Sequence, residues 1–215
     1  MWSFYKVITS LYFFRNTEIG LPNLKFGGGI MQQVYGRTKS VEWNKRDDLM
    51  VHFLAKMGHI LEDDLKLLTK VGALGIGSKR LKKHTQAKFI ACKKVSFNGI
   101  EKSVYSLTPT GQRYAKGIGL SIYKSHLKHD VAHSSFITAN YSRDDILFNY
   151  KSEKELEPAN TRLGESCVDG AFCREDGIEL VETISKSYSD DHRKAKLKYV
   201  ENHAHVKFTK YHSRY

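Results

Sequence analysis

Cysteine is scarce in this chain of 215 residues, which has three, at positions 92, 167 and 173. Their odd number and irregular spacing match neither a disulfide framework nor a zinc site, and they favour a reducing, cytoplasmic location. The sequence also lacks an apolar run long enough to cross a bilayer and a strongly amphipathic basic helix, so no membrane partner is expected. Residues 72–77 are rich in glycine, but no predicted strand precedes them, as one does in a phosphate-binding loop.

Acidic residues are outnumbered by basic ones. The chain has 23 Asp and Glu against 35 Lys and Arg, a formal net charge of +12. An excess of this size favours polyanionic partners, and nucleic acid is the first of them. At 215 residues and 40% hydrophobic content, the chain suits one or two domains that bury a sizeable core.

The first 30 residues are expected to lie outside the folded protein. Residues 1–14 are aromatic and apolar, but Lys6 interrupts them and no small-residue cleavage site follows, which argues against a signal peptide. Three glycines before Ile30-Met31 match the codons of a ribosome-binding site, so we expect translation to start at Met31. Residues 1–30 would then be an untranslated or disordered leader, and residues 31–43 an N-terminal arm.

Helices are predicted after this arm. Helical periodicity begins at Asn44 and ends at Gly58, and a short second helix follows. A third helix is expected over residues 79–88, with Ser78 as its N-cap. This helix is strongly basic and has few apolar side chains, so contact with phosphates suits it better than burial.

A β-hairpin is predicted after the third helix. Two strand-like runs, residues 89–97 and 100–107, are joined by Asn98-Gly99, which is the strongest short-range hairpin signal. Three helices followed by a hairpin predict a winged helix-turn-helix domain at residues 44–117. In such a domain the third helix enters the major groove of DNA and the hairpin lies along the backbone.

The candidate DNA contacts are basic residues of the third helix. They are Lys79, Arg80, Lys82, Lys83 and Lys88. The alternative is a solvated charged face, which charge runs often form. Together with the hairpin and the net charge, the helix favours double-stranded DNA as the partner, and single-stranded DNA is a second candidate.

The rest of the chain, residues 118–215, predicts a small α/β domain. The expected elements are a helix over residues 120–139, strands over 145–151, 168–172 and 178–184, a helix over 190–199 and a strand over 204–209. The expected fold class of the whole chain is therefore α/β (α+β), with an N-terminal winged helix-turn-helix.

Charged residues cluster near the last predicted strands. Asp169 precedes Gly170 at a turn, Glu182 lies on the next strand, and Lys186 follows it. Two carboxylates can hold Mg²⁺ or Mn²⁺ beside a scissile phosphate, and a nearby ammonium group can stabilise the negative charge of that phosphate. The alternative is a common Asp-Gly turn with solvated acids. Glu179 is another candidate for the second acid, on the opposite face of a regular strand.

Several short motifs follow one another along the chain. They are the winged helix, His129-Asp130, residues 150–153, residues 168–170 and residues 181–187. In this order they resemble the replication-relaxation family, which includes the MobC-type relaxases of mobilisable plasmids, over roughly residues 45–209. The resemblance implies a second half built like the PD-(D/E)xK restriction endonucleases. It also implies nicking of one DNA strand at a transfer origin, which starts conjugative transfer.

The resemblance assigns roles to four residues. It implies that Asp169 and Glu182 hold the divalent metal, that Lys186 stabilises charge or orients the attacking group, and that Glu153 is an accessory acid. It also implies an accessory mobilisation protein as a partner. The sequence departs from the family where Val168 replaces a proline. In the family the acid and the lysine lie two residues apart on one strand face. Here Glu182 and Lys186 lie four residues apart, which separates their Cα atoms by about 13 Å along a strand. The chain ends at Tyr215, so truncation of this domain is a further alternative.

Other interpretations stay open at this stage. The chain could be a non-catalytic winged-helix regulator or accessory protein. Attack on DNA could come from Tyr188 or Tyr199, giving a covalent intermediate, or from a metal-activated water. His126, His129 and His133 share a predicted helix with Asp130, and there capping or packing is favoured over metal binding.

Overall fold

The computed structural model describes residues 43–97, 99–123, 126–160, 168–175, 177–184, 189–191, 194 and 207–212. The helices are α1 (Lys45–Met57), α2 (Glu62–Leu68), α3 (Ser78–Gln86), α4 (Pro109–Gly117), α5 (Leu127–Asn140), α6 (Arg143–Phe148) and α7 (Glu153–Asn160). The strands are β1 (Ile60–Leu61), β2 (Ile90–Phe97), β3 (Ile100–Leu107), β4 (Tyr150–Ser152), β5 (Gly170–Arg174), β6 (Gly177–Ile184) and β7 (Lys207–His212). The leader, and the arm apart from Trp43, lie outside the described residues.

The strands form two small sheets. The first has the order β1-β3-β2 and is antiparallel. The second has the order β4-β5-β6-β7, in which only the β6–β7 pair is parallel. Helices pack on both sheets, so the described chain is a mixed α and β protein, as predicted. No helix in the described ranges is both long and apolar enough to span a bilayer.

Helix α1 begins and ends where the sequence predicts. The Asn44 side chain accepts a hydrogen bond from the Arg46 amide at 2.9 Å, and the Asn44 amide donates to Asp47 at 2.8 Å. This reciprocal pair is a capping box, which satisfies amides that the first helical turn leaves without partners. Gly58 ends the helix with a φ of 74°, a left-handed conformation that glycine adopts at little cost.

The β2–β3 hairpin also follows the prediction. Its strands pair in register from Ile90 opposite Leu107 to Phe97 opposite Ile100. Gly99 at the turn has a φ of 77°, which type I′ hairpin turns require. Thr108 then caps α4 by accepting from the Gly111 amide, and Pro109 takes the first helical position, where a missing N–H costs nothing.

Helix α6 overturns the strand predicted over residues 145–151. The Ser142 side chain accepts from the Asp145 amide at 3.1 Å and starts a helix that ends at Phe148. Asp144 and Asp145 lie in its first turn, where carboxylates interact favourably with the helix dipole. Only Tyr150–Ser152 forms a strand. The apolar run predicted as a strand therefore belongs to a capped helix.

Several other boundaries differ from the predictions. Strand β5 begins at Gly170, two residues later than predicted, and ends at Arg174. Helix α3 begins at Ser78 with Gly77 as its N-cap, because the Ser78 hydroxyl donates to Glu62 at 2.6 Å instead of capping. Helix α5 begins at Leu127, seven residues later than predicted. The final strand, β7, covers residues 207–212 instead of 204–209. Of the helix predicted over residues 190–199, only 190, 191 and 194 are described, and they are helical.

One hydrophobic core extends across the domain boundary predicted near residue 117. A single cluster of buried side chains includes Phe53 and Leu81 from the first half and Ile137, Phe172 and Val181 from the second. Polar contacts join the halves as well, since buried Lys56 donates to the Tyr150 carbonyl at 2.6 Å. The two halves are therefore packed together.

Candidate functional site

Asp169 and Glu182 lie at the end of the β5–β6 ladder. Gly170 pairs with Val181, so the register places Asp169 across from Glu182. The Asp169 amide donates to the Glu182 carboxylate at 3.1 Å, and the Thr183 amide donates to the Asp169 carboxylate at 2.7 Å. Both acids are buried, with exposures of 4% and 0%. The two predicted acids thus meet, and each binds a backbone amide of the opposite strand.

His129 on α5 joins this pair of acids. Its Nε2 lies 3.0 Å from Asp169 Oδ2, and its Nδ1 lies 3.6 Å from Asp130 Oδ1. Burial on its own would lower the pKa of His129, but contacts with the Asp130 and Asp169 carboxylates outweigh it and raise the pKa to about 10. The imidazole is therefore a cation at neutral pH, held between two carboxylates.

Asp130 ties this cluster to the end of α1. Its Oδ2 lies 2.9 Å from His59 Nδ1 and accepts from the His126 amide at 2.9 Å. The Asp130 side chain is buried against Gly58, where a Cβ atom would lie 2.6 Å from Oδ2. The predicted His129-Asp130 motif is therefore part of the site, and Asp130 also binds the backbone amide of His126, the residue before α5.

His133 has a structural role one turn along α5. Its Nε2 lies 2.8 Å from the Tyr150 hydroxyl, and its Nδ1 lies 2.8 Å from Thr183 Oγ1. The ring stacks almost parallel to His129, with 6.1 Å between centroids and 6° between planes. Because both ring nitrogens contact hydroxyl groups, the His133 ring is fixed in place and the His129 ring packs against it. This agrees with the interpretation of α5 histidines as packing residues.

The buried tyrosines near the acids are poor nucleophiles. Burial raises the pKa of Tyr150 well above its ordinary value, and nearby carboxylates, led by Asp169, add to the effect. Burial likewise raises the pKa of Tyr123, with further contributions from Asp130 and Asp169. A phenol attacks phosphate as phenolate, which these surroundings disfavour. The predicted nucleophiles at positions 188 and 199 lie outside the described residues.

The remaining predicted catalytic residues have different outcomes. The Glu153 amide donates to the Asp169 carbonyl at 2.9 Å, which places the start of α7 beside the acid cluster. The alternative acid, Glu179, instead accepts from Tyr141 and Arg174, each at 2.9 Å. Lys186 lies outside the described residues.

The two acids offer oxygen donors to a divalent metal, but their contacts compete for those oxygens. Carboxylate oxygens are the donors that Mg²⁺ prefers, so Asp169 and Glu182 fit by type. Each, however, has an oxygen bound to a backbone amide, and Asp169 also contacts the His129 cation. Among the described residues no group of three or more His, Cys, Asp or Glu is arranged to hold a metal ion. One oxygen of each predicted metal ligand is therefore engaged by a backbone amide, and the described residues of the site form no preformed metal cage.

Helix α3 presents a row of exposed cations. Lys79, Lys82 and Lys83 are exposed, as is Lys88 just beyond the helix. The buried Leu81 and His84 face the core, and His84 Nε2 lies 2.8 Å from Asp47 Oδ1. The helix therefore has one anchored face and one basic face.

Arg80 differs from its lysine neighbours. Its Nε donates to Asp47 Oδ1 at 2.6 Å, and its Nη2 pairs with Asp47 Oδ2. The fork geometry of a guanidinium matches a carboxylate in this way. The predicted DNA contact at this position is thus engaged inside the protein, where it fixes α3 to α1.

The basic residues of the β2–β3 hairpin were not among the predicted DNA contacts. Lys93, Lys94 and Lys102 are exposed on β2 and β3. Lys93 pairs with Val104, and Lys102 pairs with Val95, so strand alternation puts both lysines on one face. The sequence alone could have placed these lysines on one face, because the Asn98-Gly99 dipeptide predicts the register of the hairpin.

The chain matches no known family model, no curated protein and no solved structure in the comparisons made.

Proposed function

We propose that this protein binds duplex DNA, with α3 in the major groove. The exposed lysine row on α3 carries the proposal, because a helix with one anchored face and one cationic face is suited to contact phosphates. The formal net charge of +12 supports the same partner.

The order of elements in the first half supports a winged-helix interpretation. Helix α1, strand β1, helices α2 and α3 and the β2–β3 hairpin follow one another, and β1 pairs with β3. In winged-helix proteins the third helix reads the groove and the hairpin contacts the backbone. The exposed Lys93 and Lys102 would then add phosphate contacts beside those of α3.

A single substitution on α3 tests the DNA-binding proposal. We expect Lys83→Ala to weaken binding to a labelled 20-base-pair random-sequence duplex. Loss of one phosphate contact should make the slope of log K against log salt shallower by about 0.9. Affinity is measured by fluorescence anisotropy at several salt concentrations.

A matched control is Lys128→Ala, which removes an exposed lysine from α5, outside residues 44–117. This variant should keep the wild-type slope. Equal slopes for wild type and Lys83→Ala would refute the placement of α3 on DNA.

We propose as a second function that the C-terminal half nicks one strand of the bound DNA. The convergence of Asp169, Glu182 and His129 favours it, together with the resemblance to plasmid mobilisation relaxases. Under this proposal the bound DNA is a transfer origin, and an accessory mobilisation protein assists. Asp169 and Glu182 would have to exchange their amide contacts for a divalent cation, which would supply charge stabilisation at the phosphate. The alternative is a DNA-binding regulator in which the same cluster has a structural role.

Plasmid relaxation separates the two possibilities. Wild-type protein with Mg²⁺ should convert supercoiled plasmid carrying the cognate origin to the open-circular form, and Asp169→Asn should abolish conversion without weakening DNA binding. The matched control, Asp144→Asn, removes an acid whose side chain is 64% exposed, and it should relax plasmid at the wild-type rate. Relaxation by Asp169→Asn at that rate would exclude Asp169 from the chemistry. A wild type that binds the origin but leaves it supercoiled would support the regulator.

A further inference from the structure

An open cleft lies between the two halves of the protein. Its volume is about 490 Å³, and it is lined by residues of α4, of the segment that follows α4, and of α7. Lys116 of α4 and Lys154 of α7 both line it and are both exposed. Cations from different parts of the sequence therefore meet at one opening, and neither belongs to the α3 lysine row.

The walls of the cleft combine polar and apolar groups. Gln112 and Ser121 contribute neutral hydrogen-bonding side chains. Leu120 and Ile122 are partly buried against the core and leave an apolar strip along the wall. This combination of ammonium groups, neutral polar groups and an apolar strip matches a ligand with negative charges and flat apolar surfaces.

Tyr123 is the buried residue of the cleft lining. Tyr123 lines the cleft, is 9% exposed, and has its amide bound to the Ala55 carbonyl at 2.9 Å, so it is firmly placed. The nearby Asp130, Asp169 and Glu153 all contribute to raising the pKa of its hydroxyl, although burial is the main cause. A ligand in the cleft would therefore lie next to Tyr123, whose ring packs beside Asp130 against Gly58.

We propose that this cleft binds one single strand of DNA. The two lysines would contact its phosphates, as cations do in other single-strand sites. The apolar strip of Leu120 and Ile122 would pack against a sugar or base. A volume of about 490 Å³ is that of a small-molecule pocket, which accommodates about one nucleotide and excludes a duplex. This inference rests on the proposed DNA binding and adds a second, single-strand site to it.

Binding of a labelled dT12 strand tests the site. We expect Lys116→Gln and Lys154→Gln each to make the slope of log K against log salt shallower by about 0.7, the single-strand value per phosphate. Binding of the 20-base-pair duplex should stay within about twofold of wild type, because α3 is unchanged. Lys128→Gln serves as the matched control and should leave both measurements unchanged.

The outcomes distinguish this inference from the proposed function. If Lys83→Ala weakens duplex binding while both cleft variants bind dT12 like wild type, the cleft site is refuted and the α3 site stands. If Lys83→Ala leaves duplex binding unchanged, the α3 proposal fails on its own evidence. An equal loss of duplex and dT12 binding in the cleft variants would also overturn the single-strand assignment.

Crosslinking gives a second measurement that does not depend on variants. A dT12 strand with one 4-thiothymidine, irradiated in the complex, should crosslink to the peptide that contains residues 120–123. Crosslinks confined to α3 or to the β2–β3 hairpin would contradict the cleft. Competition by the mononucleotide dTMP as effective as that by dT12 would mean that the cleft recognises a free nucleotide, and would also overturn the proposal.

Discussion

Asp47→Ala is expected to lower the free energy of unfolding by about 3–5 kcal/mol, the typical loss when one partner of a buried ion pair is removed. Asp47 is fully buried, and its carboxylate binds three groups: the Arg80 guanidinium, His84 Nε2 at 2.8 Å and the Asn44 amide at 2.8 Å. Its loss leaves one buried donor, His84, and two partly buried donors, Arg80 and the Asn44 amide, without their acceptor, and it releases α3 from α1. Urea denaturation followed by circular dichroism measures the change.

The pH dependence of this loss identifies its cause. Burial would raise the pKa of Asp47, but hydrogen bonds from Arg80, His84 and Asn44 outweigh it and hold the pKa below 3.8. A lowered pKa means that the unfolded state binds the proton more tightly, so the contribution is complete above about pH 4 and lost as the pH falls through the folded-state value. The stability difference between wild type and Asp47→Ala should therefore shrink below pH 4.

The neighbouring acid is the control. Asp48 is also buried and accepts from Trp43 Nε1 at 2.6 Å, but burial raises its pKa instead of lowering it. Asp48→Asn keeps an acceptor for Trp43 and removes an unfavourable charge, so its cost at neutral pH should be below about 1 kcal/mol. A loss for Asp47→Ala that is the same at pH 3 and pH 7 would refute the ion pair as its origin.

Gly58→Ala is expected to cost about 2–4 kcal/mol. About 1 kcal/mol comes from placing a side chain at a φ of 74°. The rest comes from Asp130, because the new Cβ would lie 2.6 Å from Oδ2 and 3.1 Å from the Tyr123 ring. Displacing that carboxylate breaks a buried hydrogen bond with His59 and a partly buried one from the His126 amide, together worth about 1–3 kcal/mol. Thermal or urea unfolding measures the loss.

Gly72 separates the two causes. It has a φ of 65°, but no atom lies within 4 Å of the position that a Cβ would take. Gly72→Ala should therefore show only the backbone cost, about 1 kcal/mol. If both alanine variants lose the same stability, the contact between α1 and Asp130 is not what makes Gly58 necessary.

Local signals explain which elements were predictable. The β2–β3 hairpin has alternating side chains and a glycine turn, and the ends of α1 have a cap residue and a glycine, so sequence and structure agree there. The α6 segment was mistaken for a strand because Ile146, Leu147 and Phe148 form a short apolar run, a pattern that buried helices and strands share. The N-cap at Ser142 was the signal that would have separated them.

The site was partly predictable for a different reason. The pairing of Asp169 with Glu182 follows from the register of two neighbouring strands, which local sequence nearly determines. The contact of His129 with Asp169 joins residues 40 positions apart and depends on how α5 packs on the sheet. The pairing of Arg80 with Asp47 is equally nonlocal. The sequence therefore predicts a basic helix, but it does not show that Arg80 forms an ion pair within the protein.

If the protein binds and cuts DNA as proposed, the shared core fixes the distance between the two DNA-contacting surfaces. Since Phe53, Leu81, Phe172 and Val181 belong to one packed cluster, the basic face of α3 and the acid cluster cannot swing independently. A phosphate delivered to the acids would then sit at a constant number of nucleotides from the bases beneath α3. The nicked phosphate would therefore lie at a fixed spacing from the recognition sequence. Moving that sequence by one base pair would move the nick by one base pair.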